Sequence, residues 1–241
     1  MRAKEFNADQ QLDEYSYFDD REIKKYLKSK GFAFLGSGVD QMAYLTPNKK
    51  FVLKIFGADE RRSNKKNIPF TKDQLMFFKW VNYCARNSTN PFLPRFITGE
   101  GGRPWAPFDF KGRRYLQIWQ ERLYKLDRTT SKNLSMLSEL PEQMDGHQFT
   151  AREINTILTG SMSELLGTYL GDFFSDWEIN LIRRMVKQYG VKQFLQLFGA
   201  MVSLSKMADS NGWTLDLHEG NFLRRQNGHP VIVDPWVTQF R

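Results

Sequence analysis

A chain of 241 residues with 41% hydrophobic and 26% charged side chains is long enough to bury a full core, and this composition excludes wholesale disorder. Lys+Arg 35 against Asp+Glu 27 gives a formal charge of +8, which attracts nucleotide phosphates, nucleic acid or acidic protein surfaces without choosing among them. The single cysteine excludes an intramolecular disulfide, no run reaches the ~20 apolar residues of a membrane span, and the N-terminus lacks the apolar centre of a signal peptide, so a soluble, cytoplasmic protein with no membrane partner is expected.

Residues 9–30 are polar, with Leu12, Tyr15, Ile23, Tyr26 and Leu27 at helical intervals and Gly31 as the stop, which predicts one or two short helices. Strand-like runs follow at 32–35, 42–45 and 51–56, separated by Gly-Ser-Gly and Thr-Pro-Asn, a natural antiparallel set. Residues 71–86 place Leu75, Phe78, Val81 and Cys84 on one face, predicting a helix on that sheet with Thr71 as its N-cap and Cys84 in the core. Strands at 95–98 and 115–120, joined by a Gly/Pro-rich turn, complete an expected five-stranded antiparallel sheet. Beyond Glu121 the pattern becomes helical. Ser161 can cap residues 161–174, and 177–189 and 191–210 carry apolar residues every three or four positions, among them Phe194, Leu197, Phe198, Met201, Leu204 and Ala208. The basic run 49–66 reads as a solvated face, and nucleic acid is not expected as a partner.

Gly36-Ser37-Gly38 lies between two strands rather than between a strand and a helix. That position suits an ordinary hairpin turn, and it equally suits a loop whose bare backbone approaches phosphate oxygens. Lys54 sits inside the apolar strand FVLKIF, where an ammonium is costly to bury without a phosphate or carboxylate beside it. Asp73 is the candidate partner and Glu60 a weaker one; an outward-facing lysine is the alternative. The strongest signal is Asp216, Asn221 five residues on, and Asp234 thirteen beyond that, framed by short strands at 222–225 and 230–233 that put all three on one side of a hairpin. An acid able to accept a hydroxyl proton, with an amide and a carboxylate able to share a metal, is the set that phosphoryl transfer requires.

The ordered set Gly36-Ser37-Gly38, Lys54, Asp216-Leu217-His218-Glu219-Gly220-Asn221 and Asp234 resembles the protein-kinase-like superfamily. The DLHEGN form is similar to that of aminoglycoside and choline phosphotransferases, and the overall likeness is nearest to the compact serine/threonine kinases of podovirus-type bacteriophages. The resemblance implies a two-lobed α+β fold. An N-terminal extension would cover 1–30, an N-lobe with a five-stranded antiparallel sheet and one helix 31–120, a hinge 121–124, and a truncated, mainly helical C-lobe 125–241. It implies ATP and Mg2+ as cofactors, with Asp216 taking the substrate hydroxyl proton, Asn221 and Asp234 holding magnesium, Lys54 on the α/β-phosphates beneath Gly36, Ser37 and Gly38, and the backbone of Glu121 to Leu123 against adenine. His218 stands where many protein kinases place a lysine for the γ-phosphate, either as a hydrogen-bond donor or as a structural element.

The expected reaction is transfer to serine or threonine of a protein substrate, with host proteins as targets if the source is a phage. The alternatives are a small-molecule phosphotransferase, which the DLHEGN form favours, nucleotidyl transfer to protein, and a pseudokinase or binding module that sequesters a partner without turnover. Three departures stand out: Gln41 replaces the third glycine, Thr214-Leu215 replaces His-Arg, and Asp234-Pro235-Trp236 replaces Asp-Phe-Gly. With no arginine before Asp216, clamping of an activation-loop phosphate is not expected. Five residues follow Trp236, so residues 125–190 are expected to supply the substrate surface.

Overall fold

The structure is a computed structural model that describes residues 21–37, 41–57, 72–99, 102–111, 113–144, 147–166 and 169–238. It divides into two compact units, one of Met1–Ser88 with Pro94–Leu123, the other of Thr89–Leu93 with Tyr124–Arg241. No described helix is long and apolar enough to cross a membrane.

The first unit contains α1 (Arg21–Ser29), β1 (Ala33–Ser37), β2 (Gln41–Leu45), β3 (Phe51–Gly57), α2 (Lys72–Arg86), β4 (Trp105–Phe110) and β5 (Arg113–Glu121). Its strands form one antiparallel sheet in the order β1-β2-β3-β5-β4. The α+β class and the five-stranded antiparallel sheet are as expected, but the fifth strand is not. Residues 95–98 make only an isolated bridge between Phe96 and Gln120, and the strand is Trp105–Phe110, inside the stretch expected to be a turn. Pro107 disguised it. A proline lacks the N–H that a central strand must donate, but on the outermost strand that group would face solvent, so β4 accommodates it.

Side-chain alternation along β3 builds the two faces of this sheet. Leu53 and Ile55 join Met42, Tyr44 and Tyr115 beneath Ile23 and Leu27 of α1. Each of those two α1 side chains is essentially buried, and burial of a side chain of this size contributes about 1.5–3 kcal/mol. Lys54 and Phe56 face the other way, toward α2, where Phe56 meets Phe77 and Phe78 at centroid distances of 5.2 and 5.5 Å. The apolar face of α2 is as expected at Phe78, Val81 and Cys84, all buried, but not at Leu75. Leu75 is 49% exposed, while Gln74 points inward and donates Nε2 to Gly57 O at 3.1 Å. A hydrogen-bonded polar side chain therefore occupies a core site that hydrophobic periodicity cannot assign. The beginning of the first expected helix, and Thr71, lie outside the described residues.

The second unit contains β6 (Tyr124–Lys125), α3 (Arg128–Leu137), α4 (Leu140–Gln143), α5 (Ala151–Thr159), α6 (Met162–Leu166), α7 (Tyr169–Phe173), α8 (Asp176–Tyr189), α9 (Val191–Asn211), β7 (Trp213–Leu215), β8 (Phe222–Arg224), β9 (Pro230–Ile232) and β10 (Trp236–Thr238). Helix starts follow local capping chemistry: Asp127 accepts from Thr130 N at α3, and Thr150 with Glu153 forms a capping box at α5. Ser161 caps as expected, with Glu164 returning to its N–H; of the helix expected over 161–174, α6 and α7 are described and residues 167–168 lie outside the described residues. The core is α9, which buries all six apolar residues singled out in its sequence. It ends at Gly212, whose φ of 63° is left-handed and turns the chain into β7.

Candidate active site

Two short ladders in the second unit frame the acidic cluster. β7 and β10 pair through Trp213↔Thr238, Thr214↔Val237 and Leu215↔Trp236, and β8 and β9 pair through Phe222↔Ile232, Leu223↔Val231 and Arg224↔Pro230. Two main-chain bonds continue across the gap between them: Asp216 N donates to Pro235 O, and Val233 N donates to Asn221 O, each at 2.7 Å. Asp216, Asn221 and Asp234 thus come together where one antiparallel course is interrupted.

Asn221 is 4% exposed, and its Nδ2 donates to the Asp216 main-chain carbonyl at 2.5 Å. With the nitrogen engaged, Oδ1 is the amide atom left to meet a cation. Asp234 has a φ of 48°, the left-handed region that few residues other than glycine, asparagine and aspartate enter. This interrupts the pleat between β9 and β10. Asp216 has a side chain 20% exposed, so it remains open to a small reactant.

His218 begins the 3-10 turn Glu219–Asn221, and its Nδ1 accepts the Gly220 N–H at 2.9 Å. Its Nε2 lies 3.8 Å from Asp216 Oδ2. The loop is held from behind by Trp236, 1% exposed, which donates Nε1 to Leu204 O of α9 at 3.0 Å and packs against Trp213 at a centroid distance of 5.2 Å. Ser138 Oγ lies 2.6 Å from Ser135 O and 3.3 Å from Leu217 O. Its one proton favours the nearer oxygen, leaving the Leu217 contact secondary.

The remaining expected site residues belong to the sheet-bearing unit. Register places Gly36 opposite Ala43, Ala43 opposite Lys54, and Lys54 opposite Ile118, so Gly36 and Lys54 share one row two strands apart, about 10 Å by ordinary strand spacing. Ser37 ends β1 beside Gly36, and Gly38 lies outside the described residues. The Lys54 Nζ stands 4.7 Å from the centroid of Phe77, and burial pulls its pKa down to about 8. Among the described residues no carboxylate reaches it. Asp73 lies in the first turn of α2; its side chain, like Glu60, is outside the described residues. Glu121 is tied to Arg95 twice, its N–H to Arg95 O at 2.8 Å and its Oε1 from Arg95 N at 2.9 Å. Arg122 N donates to Lys50 O at 3.0 Å, and the Leu123 backbone makes no hydrogen bond among the described residues.

No protein-family model matches the chain, and no curated protein matches it. Among solved structures it is similar to an amicoumacin kinase in complex with AMP-PNP, Ca2+ and Ami, at 12% identity over 90% of this chain and 64% of that one, with a TM-score of 0.37. It is also similar to an aminoglycoside phosphotransferase from Alicyclobacillus acidocaldarius, at 11% identity over 86% of this chain and 64% of that one, with a TM-score of 0.31. The chain therefore matches just under two thirds of the length of each.

Sequence reasoning assigned no role to Ser138, Gly220 or the Trp236 indole. Ser138 is 79 residues from Leu217, and no local pattern announces such a contact. Gly220 carried a usable signal, a glycine fixed between two chemistry-bearing residues, His218 and Asn221.

Proposed function

We propose that this chain is an ATP-dependent phosphotransferase that uses a divalent cation and acts on a hydroxyl group. The observation that carries the reading is the interrupted ladder, where Asn221 has its nitrogen engaged by Asp216 O and main-chain bonds join Asp216 to Pro235 and Asn221 to Val233, on either side of Asp234. Asp216 accepts the hydroxyl proton, while Asn221 Oδ1 and the Asp234 carboxylate hold the cation. Both are hard oxygen donors of the kind magnesium takes. Among the described residues no cluster of three His, Cys, Asp or Glu side chains offers a metal site, so the other coordination positions fall to phosphate oxygens and water. A bound divalent cation neutralises charge on the transferring phosphoryl group.

In the same reading Lys54 binds the α/β-phosphates, paired with Asp73, beneath Gly36, Ser37 and Gly38. Among the described residues, a Cβ placed on Gly36 would meet nothing within 4 Å, and that open space suits an approaching phosphate. The Leu123 backbone, which makes no hydrogen bond among the described residues, suits adenine together with Glu121.

A small-molecule hydroxyl is the acceptor that the DLHEGN form of residues 216–221 supports. A serine or threonine hydroxyl on a protein, a host protein if the source is a phage, is the second reading. The formal charge of +8 favours it by disfavouring cationic small acceptors. The test is incubation with γ-labelled ATP and Mg2+, once with a panel of amino-alcohol and aminoglycoside acceptors and once with a cell lysate, beside Asp216→Asn and Asp234→Ala. Label should pass to an acceptor and be lost in both variants. Label transferred from α-labelled ATP would indicate nucleotidyl transfer, and no Mg2+-dependent turnover with any acceptor would sink the enzymatic reading in favour of a binding module.

A further inference from the structure

We infer that His218 is a positioning residue whose Nε2–H holds the Asp216 carboxylate in place, and that Gly220 sets the aim of its ring. The inference rests on the proposed role of Asp216 as proton acceptor.

The tautomer follows from one bond. A neutral imidazole has one donor and one acceptor nitrogen. Nδ1 accepts the Gly220 main-chain N–H at 2.9 Å, and a backbone amide keeps its proton, so Nδ1 presents its lone pair and the ring proton sits on Nε2. Nε2 is buried and has no hydrogen-bond partner among the described residues, although the side chain as a whole is 39% exposed. Asp216 Oδ2 lies 3.8 Å from it, about 0.8 Å beyond an ordinary N–H···O bond. A small rotation of the carboxylate closes that gap.

The burial of Nε2 also separates two roles. A donor for the transferring phosphate, as the lysine of many kinases is, must present its polar atom to the reactant. Here Nε2 is buried on the side of Asp216, and Nδ1 is already taken by the Gly220 N–H, so neither ring nitrogen is presented to the reactant as a donor. Engaging Oδ2 leaves Oδ1 for the acceptor hydroxyl. The hydroxyl proton passes to Oδ1 as its oxygen bonds to phosphorus and the bond to the leaving phosphate oxygen breaks; His218 keeps its own proton throughout.

Gly220 holds this geometry by having no side chain. A Cβ at 220 would stand 2.7 Å from His218 Cε1 and 3.1 Å from Nδ1. The Gly220 φ lies outside the left-handed region, so alanine is compatible with the backbone and the ring is what must move.

The test is a kinetic series in the full chain under the phosphotransfer assay. His218→Ala should lower kcat about 10-fold, the scale of lost orientation rather than lost chemistry, with KM for ATP and acceptor within about 2-fold of wild type. The amides separate the two ring positions. His218→Gln places an N–H donor near the Nε2 position and should recover most of kcat. His218→Asn reproduces only the Nδ1 position and should behave as alanine does. Gly220→Ala should match His218→Ala, and the double variant should be no slower than either single. Melting temperatures accompany each variant, and if Gly220→Ala fails to fold, the glutamine and asparagine pair decides alone. Wild-type kcat in His218→Asn, an effect confined to KM, or multiplying effects of Gly220→Ala and His218→Ala would each overturn the inference. Asp216→Asn is the separate control: full activity there removes the proposed function itself, whereas a dead Asp216→Asn beside fully active His218 variants removes only this inference.

Discussion

The Asn221 side-chain nitrogen and the Asp216 main-chain oxygen lie 2.5 Å apart, so the residue proposed to hold a cation also braces the backbone of the residue proposed to accept a proton. Asn221→Asp keeps the shape and adds a negative charge that a cation should welcome, yet it opposes two acceptors where a donor stood. We expect it to be less stable by about 1–3 kcal/mol, the cost of leaving a buried acceptor unsatisfied, and to lose activity despite the added charge. Thermal melts and turnover check this; a wild-type melting temperature would mean the brace carries no energy.

Lys54 sets a pH dependence with a definite sign. Its folded pKa of about 8 lies below the ~10.4 of an exposed lysine, so between those values the unfolded chain binds more protons than the folded one. The cost of the buried charge is fully present below about 8, and stability rises as pH climbs through that window. Urea midpoints from pH 7 to 9.5 should show the rise, and Lys54→Met should flatten it. Stopping at 9.5 avoids Tyr189, whose pKa burial raises to about 12. Taking the difference from Lys54→Met cancels Cys84, whose thiol burial holds well above its ordinary value, an opposite dependence that begins at about pH 8.5. If Lys54 meets phosphates, ATP affinity should weaken above pH 8 by up to about tenfold per unit, and Lys54→Arg should remove that slope.

His229 governs the acid side. Its ring packs on Phe92 at 4.6 Å and on Tyr189 at 6.5 Å, and burial, then the Arg225 charge, hold its pKa below the usual 6.5. The unfolded chain takes the proton first, so stability is lost as pH falls below about 6.5. His229→Phe, which preserves the aromatic packing, should flatten that loss between pH 6.5 and 5 in thermal melts. A variant as acid-sensitive as wild type would place the cause elsewhere.

Arg225 fastens the β8–β9 turn to residues 89–93 by donating one guanidinium nitrogen to Pro91 O and the other to Leu93 O, the latter at 2.8 Å. Arg225→Lys retains the charge but cannot reproduce the fork, and should cost about 1–3 kcal/mol. Chemical denaturation measures this directly; a cost under about 0.5 kcal/mol would show that water replaces the fork without loss.

The parts of the fold legible in the sequence were those written in local pattern. α9 could be read from six apolar residues at helical spacing, and β1, β2 and β3 from runs bounded by turn residues. The clustering of Asp216, Asn221 and Asp234 followed from counting along a hairpin. What escaped was set by distant partners. The inward Gln74 depends on a carbonyl 17 residues away, β4 on its place at the sheet margin, and the left-handed Asp234 on the two ladders that meet beside it. None of these has a signature within its own few residues.

Pro107 has an effect beyond concealing its strand. The outer margin of β4 lacks a donor at its middle, and at the opposite margin the register of β1 slips between Phe34 and Gly36. A strand arriving from another molecule finds an even row of donors and acceptors on neither side. The five-stranded sheet is thereby guarded against edge-to-edge growth, so copies of this chain crowded together should resist zipping into aggregates through it.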